Sequence, residues 1–70
     1  MAEIGRIRKT DTTDVVVSLT EYKGQLGLDI REYIKSERYT GWSKSGTRIP
    51  KDQICELGKL INQACEQVSQ

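Results

Sequence analysis

Residues 21–35 read EYKGQLGLDIREYIK, and this stretch decides the fold. Gly24 can adopt the positive φ that a tight turn requires. The β-branched and apolar run Val15–Thr20 precedes the turn. The segment Gln25–Lys35 follows it and alternates apolar with polar residues, as expected for a strand with one buried and one exposed face. The two runs therefore predict a β-hairpin.

The alternation assigns the side chains of this hairpin to two faces. We expect the buried face to carry Val15, Val17, Leu19, Leu26, Leu28, Ile30 and Ile34. The exposed face carries Arg31, Tyr33 and Lys35, and Tyr22 and Lys23 lie at the turn. Cations mixed with aromatic rings on a sheet suit a flexible polyanion whose bases can stack on the rings.

The rest of the chain predicts two further strands and one helix. Met1 and Ala2 are expected to fray. The predicted elements are a strand at Ile4–Lys9, a loop or widened turn at Thr10–Asp14, a loop at Ser36–Gly41 and a last strand at Trp42–Ile49 with a bend or bulge at Ser43–Gly46. A helix is expected from Pro50, which fits a first helical turn, to about Gln67. The predicted fold class is α+β, an antiparallel sheet of about four strands followed by one C-terminal helix.

The helix carries a wide apolar stripe. Ile54, Leu57, Ile61, Ala64 and Val68 recur at spacings of three and four residues. The apolar surface of this stripe is larger than one small sheet can cover. The helix of a second copy of the chain could therefore pack against it. A chain of 70 residues forms one domain, here residues 1–70, and buries little by itself. Dimerisation is therefore the expected source of extra burial.

Composition excludes several functions. The chain has no His, and its two cysteines lie ten residues apart in the predicted helix, about 15 Å along the axis. They cannot bridge each other within one chain, and we expect them to be buried or half-buried thiols in a reducing compartment. No motif for catalysis, metal, cofactor or membrane insertion is present. The sequence predicts a non-enzymatic protein of the cytoplasm or nucleoid, or of the nucleus in a eukaryote.

Four motifs together resemble the Positive Cofactor Four family of transcriptional coactivator-like, single-stranded-DNA-binding domains. They are Ile4-Gly5-Arg6-Ile7-Arg8, Tyr22-Lys23-Gly24, Asp29-Ile30-Arg31-Glu32-Tyr33 and Lys44-Ser45-Gly46-Thr47-Arg48-Ile49-Pro50. The resemblance covers about residues 3–66 and implies a homodimer held by its helices, with two curved sheets that form a groove for DNA. This chain departs from the family at Gln25, at Ile34 and in the length of the Thr10–Asp14 loop.

The resemblance and the exposed face together nominate one set of nucleic-acid-binding residues. They are Arg6, Arg8, Tyr22, Lys23, Arg31, Tyr33, Trp42, Lys44 and Arg48. The rings would stack on bases and the cations would contact phosphates. Trp42 could instead be a core residue, and Arg31 could instead pair with Asp29 or Glu32.

The predicted partner is single-stranded DNA, bound largely without sequence preference in transcription, replication or repair. Three alternatives stay open. The same surface could bind RNA. The sheet could dock a transcription protein. The chain could also form a structural dimer without nucleic-acid affinity, which the net charge of only +1 favours.

Overall fold

The computed structural model describes residues 2–69 and consists of four strands followed by one helix. The strands are β1 (Ala2–Thr10), β2 (Thr13–Tyr22), β3 (Gln25–Lys35) and β4 (Thr40–Pro50), and a 3-10 turn (Lys51–Gln53) leads into α1 (Ile54–Val68). The strands form one antiparallel sheet in the order β1-β2-β3-β4. The predicted α+β architecture is confirmed. Met1 lies outside the described residues, whereas Ala2, which was expected to fray, pairs with Leu19.

The central hairpin turns as the sequence predicts. Tyr22 pairs with Gln25, so the turn contains only Lys23 and Gly24. Both residues have positive φ, 52° for Lys23 and 76° for Gly24. Two positive φ values define a type I′ turn, whose twist matches that of the flanking strands. Lys23 is the residue that bears strain here, because a side chain with Cβ adopts this conformation at a cost.

Of the two predictions for Thr10–Asp14, the loop is wrong, and the turn that joins two strands as a hairpin is confirmed, although it is shorter than expected. Thr10 pairs with Thr13, so only Asp11 and Thr12 connect β1 to β2. β-branched threonines favour extended backbone, which lets both strands continue into the polar segment. The Thr12 amide donates to Thr10 Oγ1 at 3.3 Å and stabilises the short connection. The loop after β3 is also shorter than predicted, because Thr40 and Gly41 belong to β4.

The predicted bulge in the last strand is confirmed. Arg31 pairs with Gly46 and Tyr33 pairs with Trp42, so three residues of β4 oppose a single residue of β3. The bulge comprises Ser43, Lys44 and Ser45, and the Ser45 amide donates to Ser43 Oγ at 3.1 Å. Bulges bend a strand and redirect its side chains. This one places Trp42 opposite Tyr33.

The register separates a polar face from an apolar face. Cross-strand neighbours point to the same side, so Val17, Ile30 and Thr47 share one face with the row Leu19, Leu28 and Ile49. Arg6, Val16 and Arg31 lie on the opposite face. The predicted division of β3 into apolar and polar sides is confirmed.

Burial on β2 differs from the expectation. Val16, on the polar face, is the only hydrophobic side chain buried among residues 2–69, at 2% exposure. Val15, Val17 and Leu19, expected inside, are only half-buried. Val16 lies between Arg6 and Arg31 on the neighbouring strands. The aliphatic stems of long cationic side chains can cover such a residue, whereas Val17, Leu19 and Ile30 on the apolar face stay only half-buried.

The helix points away from the sheet. Pro50 ends β4 rather than starting the helix, which begins with the 3-10 turn. No residue of α1 is buried, and only Ile54 and Leu57 are half-buried. Cys55 and Cys65 are unpaired, as predicted, but both are exposed, because no element packs against their part of the helix. Within residues 2–69, α1 is too short and too polar to span a bilayer.

Candidate nucleic-acid interface

The polar face of the sheet collects most of the nominated residues. Through the register, this face carries Arg6, Arg8, Tyr22, Arg31, Tyr33, Trp42 and Arg48. Lys23 lies in the adjoining turn and Lys44 in the bulge of β4. The alternation in the sequence predicted this grouping for β3. The grouping on β1 and β4 also required the two hairpin registers and the bulge.

The aromatic rings lie at two ends of this face. Tyr22 flanks the turn before β3, and Tyr33 and Trp42 lie near the other end of that strand. Eight residues of strand separate Gln25, opposite Tyr22, from Tyr33, which corresponds to about 26 Å at the rise of an antiparallel strand. Arg6, Arg31 and Arg48 lie between the two ends, whereas Arg8 lies in the same row as Tyr33 and Trp42. The rings therefore form two separate contact points rather than one cluster.

Trp42 and Tyr33 form an edge-to-face pair. Their ring centroids are 4.9 Å apart and the planes are inclined by 69°. Trp42 is 48% exposed, so it is not a core residue, and its indole is available on the polar face. The Tyr39 hydroxyl donates to the Trp42 carbonyl at 2.7 Å and anchors the backbone there. An edge-to-face neighbour fixes the orientation of a ring while leaving its own face free.

A shallow groove runs beside this pair. It has a volume of about 490 Å³ and is lined by Glu3, Ser18, Asp29, Arg31 and Trp42. Arg31 reaches across its floor and donates to the Ser43 carbonyl at 3.3 Å. The groove therefore combines an exposed ring and a guanidinium with two carboxylates.

Three of the four nominated arginines, Arg6, Arg8 and Arg31, are paired with carboxylates. Arg6 Nη2 lies 2.8 Å from Glu3 Oε1, and Arg6 Nη1 lies 3.4 Å from Asp14 Oδ2. Arg8 Nε lies 3.2 Å from Asp14 Oδ1. Arg31 donates from Nε and from Nη2 to the two oxygens of Asp29, each at 3.3 Å. An incoming phosphate must therefore compete with these carboxylates.

The pairing perturbs the titration of Glu3. The hydrogen bond from Arg6 lowers the pKa of the Glu3 carboxyl below its ordinary value, and the same bond raises the pKa of Arg6. Both groups are exposed to solvent, and exposed ion pairs of this kind are weak. Exchange of Glu3 for a phosphate oxygen therefore faces little resistance.

The two lysines nominated at the edges have no such partner. Neither Lys23 nor Lys44 takes part in an ion pair with any described residue. Lys23 Nζ lies 5.4 Å from the centroid of the Tyr22 ring, within the range of a cation–π contact. Tyr22 is 63% exposed. The turn thus presents a ring and an uncommitted ammonium together.

Arg48 differs from the other nominated arginines because its guanidinium pairs with no carboxylate of the described residues and binds the oxygens of Thr20 and Gln25. Nη2 donates to the carbonyls of Thr20 at 3.0 Å and Gln25 at 2.8 Å. Nη1 donates to the Thr20 hydroxyl. Nomination of Arg48 as a phosphate contact did not anticipate these bonds.

The sequence analysis offered Asp29 as a partner of Arg31, which the structure confirms, but it missed two other carboxylates of this face. Glu3 and Asp14 neutralise the opening arginines, yet neither was assigned a role. Period-two alternation places Asp14 on the same side as Val16, and that signal was available once Thr13 and Asp14 were known to be in a strand. Their supposed position in a loop concealed it.

No cluster of three or more metal-ligating side chains occurs within residues 2–69. Comparison of the chain with models of known families, with curated proteins and with solved structures found no match.

Proposed function

We propose that this protein is a homodimeric, largely sequence-independent single-stranded-DNA-binding domain of the Positive Cofactor Four type, acting in transcription, replication or repair. One observation supports this more than any other. Trp42, 48% exposed, lies with Tyr33 and Arg31 on a polar sheet face whose remaining cations point the same way. Rings and cations on one surface suit a strand whose bases are unpaired.

In the proposed mechanism the rings hold bases and the cations hold phosphates. Trp42 at one end and Tyr22 at the other stack on separate bases. Arg6, Arg8 and Arg31 exchange their carboxylates for phosphates, and Lys23 and Lys44 add cations that are not paired. Duplex DNA offers no exposed base faces, so the surface prefers single strands.

Two apolar surfaces that stay partly exposed in the single chain support the proposed homodimer. One is the apolar face of the sheet, with half-buried Val17, Leu19 and Ile30. The other is the helix stripe, where Ile61 is 58% exposed and Val68 is 83% exposed. Contact between these surfaces of two copies would bury both, and a stable interface typically requires ~800 Å² from each partner.

Fluorescence titration tests this function directly. Trp42 is the only tryptophan, so its emission reports on the proposed site. We expect a dT-rich oligonucleotide to quench it, duplex DNA of equal length to bind far less, and affinity to fall steeply between two salt concentrations because binding releases counterions. Equal binding of both DNAs would refute the stacking mechanism. Competition with a matched RNA decides between DNA and RNA.

A protein-docking face is the second candidate, and the carboxylates favour it. Glu3, Asp14 and Asp29 lie among the cations and would repel phosphates until displaced. A mixed-charge groove with an exposed tryptophan also suits a polypeptide partner. If the face docks a protein, oligonucleotides should not change the emission of Trp42. The affinity for the protein partner should then change little with salt concentration.

A further inference from the structure

The guanidinium of Arg48 joins the two strands that support the β2–β3 turn. Thr20 lies near the end of β2 and Gln25 is the first residue of β3. Arg48 reaches both from β4, donating to the Thr20 carbonyl at 3.0 Å and the Gln25 carbonyl at 2.8 Å. A third donor binds the Thr20 hydroxyl. One side chain thus ties three strands together directly behind Lys23 and Gly24.

The guanidinium of Arg48 packs against the backbone of Gly27. Gly27 is buried and pairs with Thr20 on β2 and with Pro50 on β4. A Cβ at position 27 would lie 2.9 Å from Arg48 Cζ and 2.9 Å from Nη2. Atoms do not approach so closely, so any side chain there would displace the guanidinium. Because Gly27 has no side chain, Arg48 can extend over β3 and reach Thr20 on β2.

We infer that Arg48 is a positioning residue for the turn that presents Tyr22 and Lys23, and not a phosphate contact. Three of its donors are engaged by protein oxygens, whereas a phosphate contact requires donors that face solvent. The hydrogen bonds from Arg48 to both flanking strands stabilise this turn, in which Lys23 has a φ of 52° that is unfavourable for a residue with Cβ. The inference rests on the proposed function, in which Tyr22 and Lys23 bind DNA.

The first test compares Arg48→Lys with Gly27→Ala. Lysine keeps the charge but cannot span two carbonyls with one planar group, and the methyl group introduced by Gly27→Ala expels the guanidinium without altering any charge. We expect each variant to weaken dT-oligonucleotide binding about tenfold, the size expected for loss of hydrogen bonds from a charged donor. Arg38→Lys, the same exchange in the exposed loop after β3, is the matched control and should bind like wild type.

Two readouts separate positioning from direct contact. A direct phosphate contact by Arg48 would contribute about 0.7 to the slope of log affinity against log salt. In a Tyr22→Ala/Lys23→Ala background the contacts made by the turn are already absent, so Gly27→Ala should change neither the affinity nor the slope. A slope lowered by Gly27→Ala in that background, or a full tenfold loss of affinity added to the double variant, would overturn the inference.

Amide hydrogen exchange tests the stabilisation of the turn by Arg48 without DNA. The amides of Tyr22 and Gln25, which pair across the turn, should exchange faster in Arg48→Lys and in Gly27→Ala than in wild type or Arg38→Lys. Unchanged exchange refutes this stabilisation. If wild type binds no oligonucleotide but these amides still respond, the proposed function fails while the structural role of Arg48 stands.

Discussion

Arginine side chains supply much of the burial on the polar face. Val16 is covered between Arg6 and Arg31, and Gly27 lies beneath Arg48. These two are the buried residues of the described chain. Replacement of such an arginine by alanine therefore removes packing as well as charge. Replacing the carboxylate partner instead of the arginine changes the charge and leaves the packing of the arginine in place.

Glu3→Gln should tighten binding of single-stranded DNA several-fold. The change releases Arg6 from its 2.8 Å pair and removes one negative charge from the groove, so both effects favour phosphate. The measurement is the dissociation constant for a dT oligonucleotide at low salt. Glu66→Gln, the same exchange on the exposed helix, is the control. Equal gains in both variants would show that only net charge matters.

The same pair predicts a dependence of stability on pH. The hydrogen bond from Arg6 lowers the pKa of Glu3 in the folded state below its ordinary value of 4.5. The pair therefore stabilises the fold above pH 4.5, and this contribution is lost as pH falls through the lowered pKa. Chemical unfolding of wild type and Glu3→Gln should differ near neutral pH and converge in acid. A constant difference would contradict the pairing.

Trp42→Ala should weaken single-stranded-DNA binding about tenfold or more, since stacking is worth ~1–3 kcal/mol per base. Trp42→Phe should retain most of the affinity, because phenylalanine still offers a ring beside Tyr33. Binding is measured by anisotropy of a labelled oligonucleotide, since the intrinsic probe is lost. If Phe and Ala variants bind equally, the ring does not stack.

At the scale of the element, Lys23 in the β2–β3 turn supplies a cation but lowers the stability of the fold, because its φ of 52° is unfavourable for a residue with Cβ. Lys23→Asn should raise the free energy of unfolding by about 1 kcal/mol, because Asn-Gly favours the type I′ turn that lysine resists. The same variant should weaken DNA binding, since the ammonium near the Tyr22 ring is lost. Lys23→Gln is the control, because it removes the same charge but glutamine does not share the preference of asparagine for the type I′ turn. Equal stability of the two variants would argue against strain at Lys23.

The helix stripe should hold the dimer. Ile61→Glu places a carboxylate on the stripe and should give a monomer by light scattering. Gln63→Glu adds the same group two residues further on, about 200° around the helix, and should remain dimeric. Because α1 is exposed beyond Leu57 in the single chain, neither substitution disturbs packing within it. Dimers in both cases would place the contact elsewhere.

At the scale of the whole molecule, the single chain is flat, with extents of 41 × 37 × 17 Å, and has one buried hydrophobic side chain among residues 2–69. So little burial does not offset the entropy of ordering the chain. Folding coupled to dimerisation predicts that each tenfold dilution lowers apparent stability by about 1.4 kcal/mol. A melting temperature independent of concentration would refute this coupling.

Prediction from sequence succeeded where the signal was local. Gly24 marked the turn, alternation along β3 separated its faces, and the spacing of Ile54, Leu57 and Ile61 marked the helix. It failed where strand and loop preferences compete, as at Thr10–Asp14, where β-branched threonines extended both strands. It also did not anticipate that Val16 is the buried valine of β2, because valines occupy both sides of the strand and the neighbours of Val16 are arginines on other strands.

The order of residues alone set the secondary structure and nominated the rings and cations, because turn chemistry and periodicity act between neighbours. Only the folded sheet showed that Arg6, Arg8 and Arg31 face carboxylates, that Trp42 stands exposed beside Tyr33, and that Arg48 crosses Gly27 to reach the turn. Those relations depend on register and on the β4 bulge, which bring together residues that are distant in the chain.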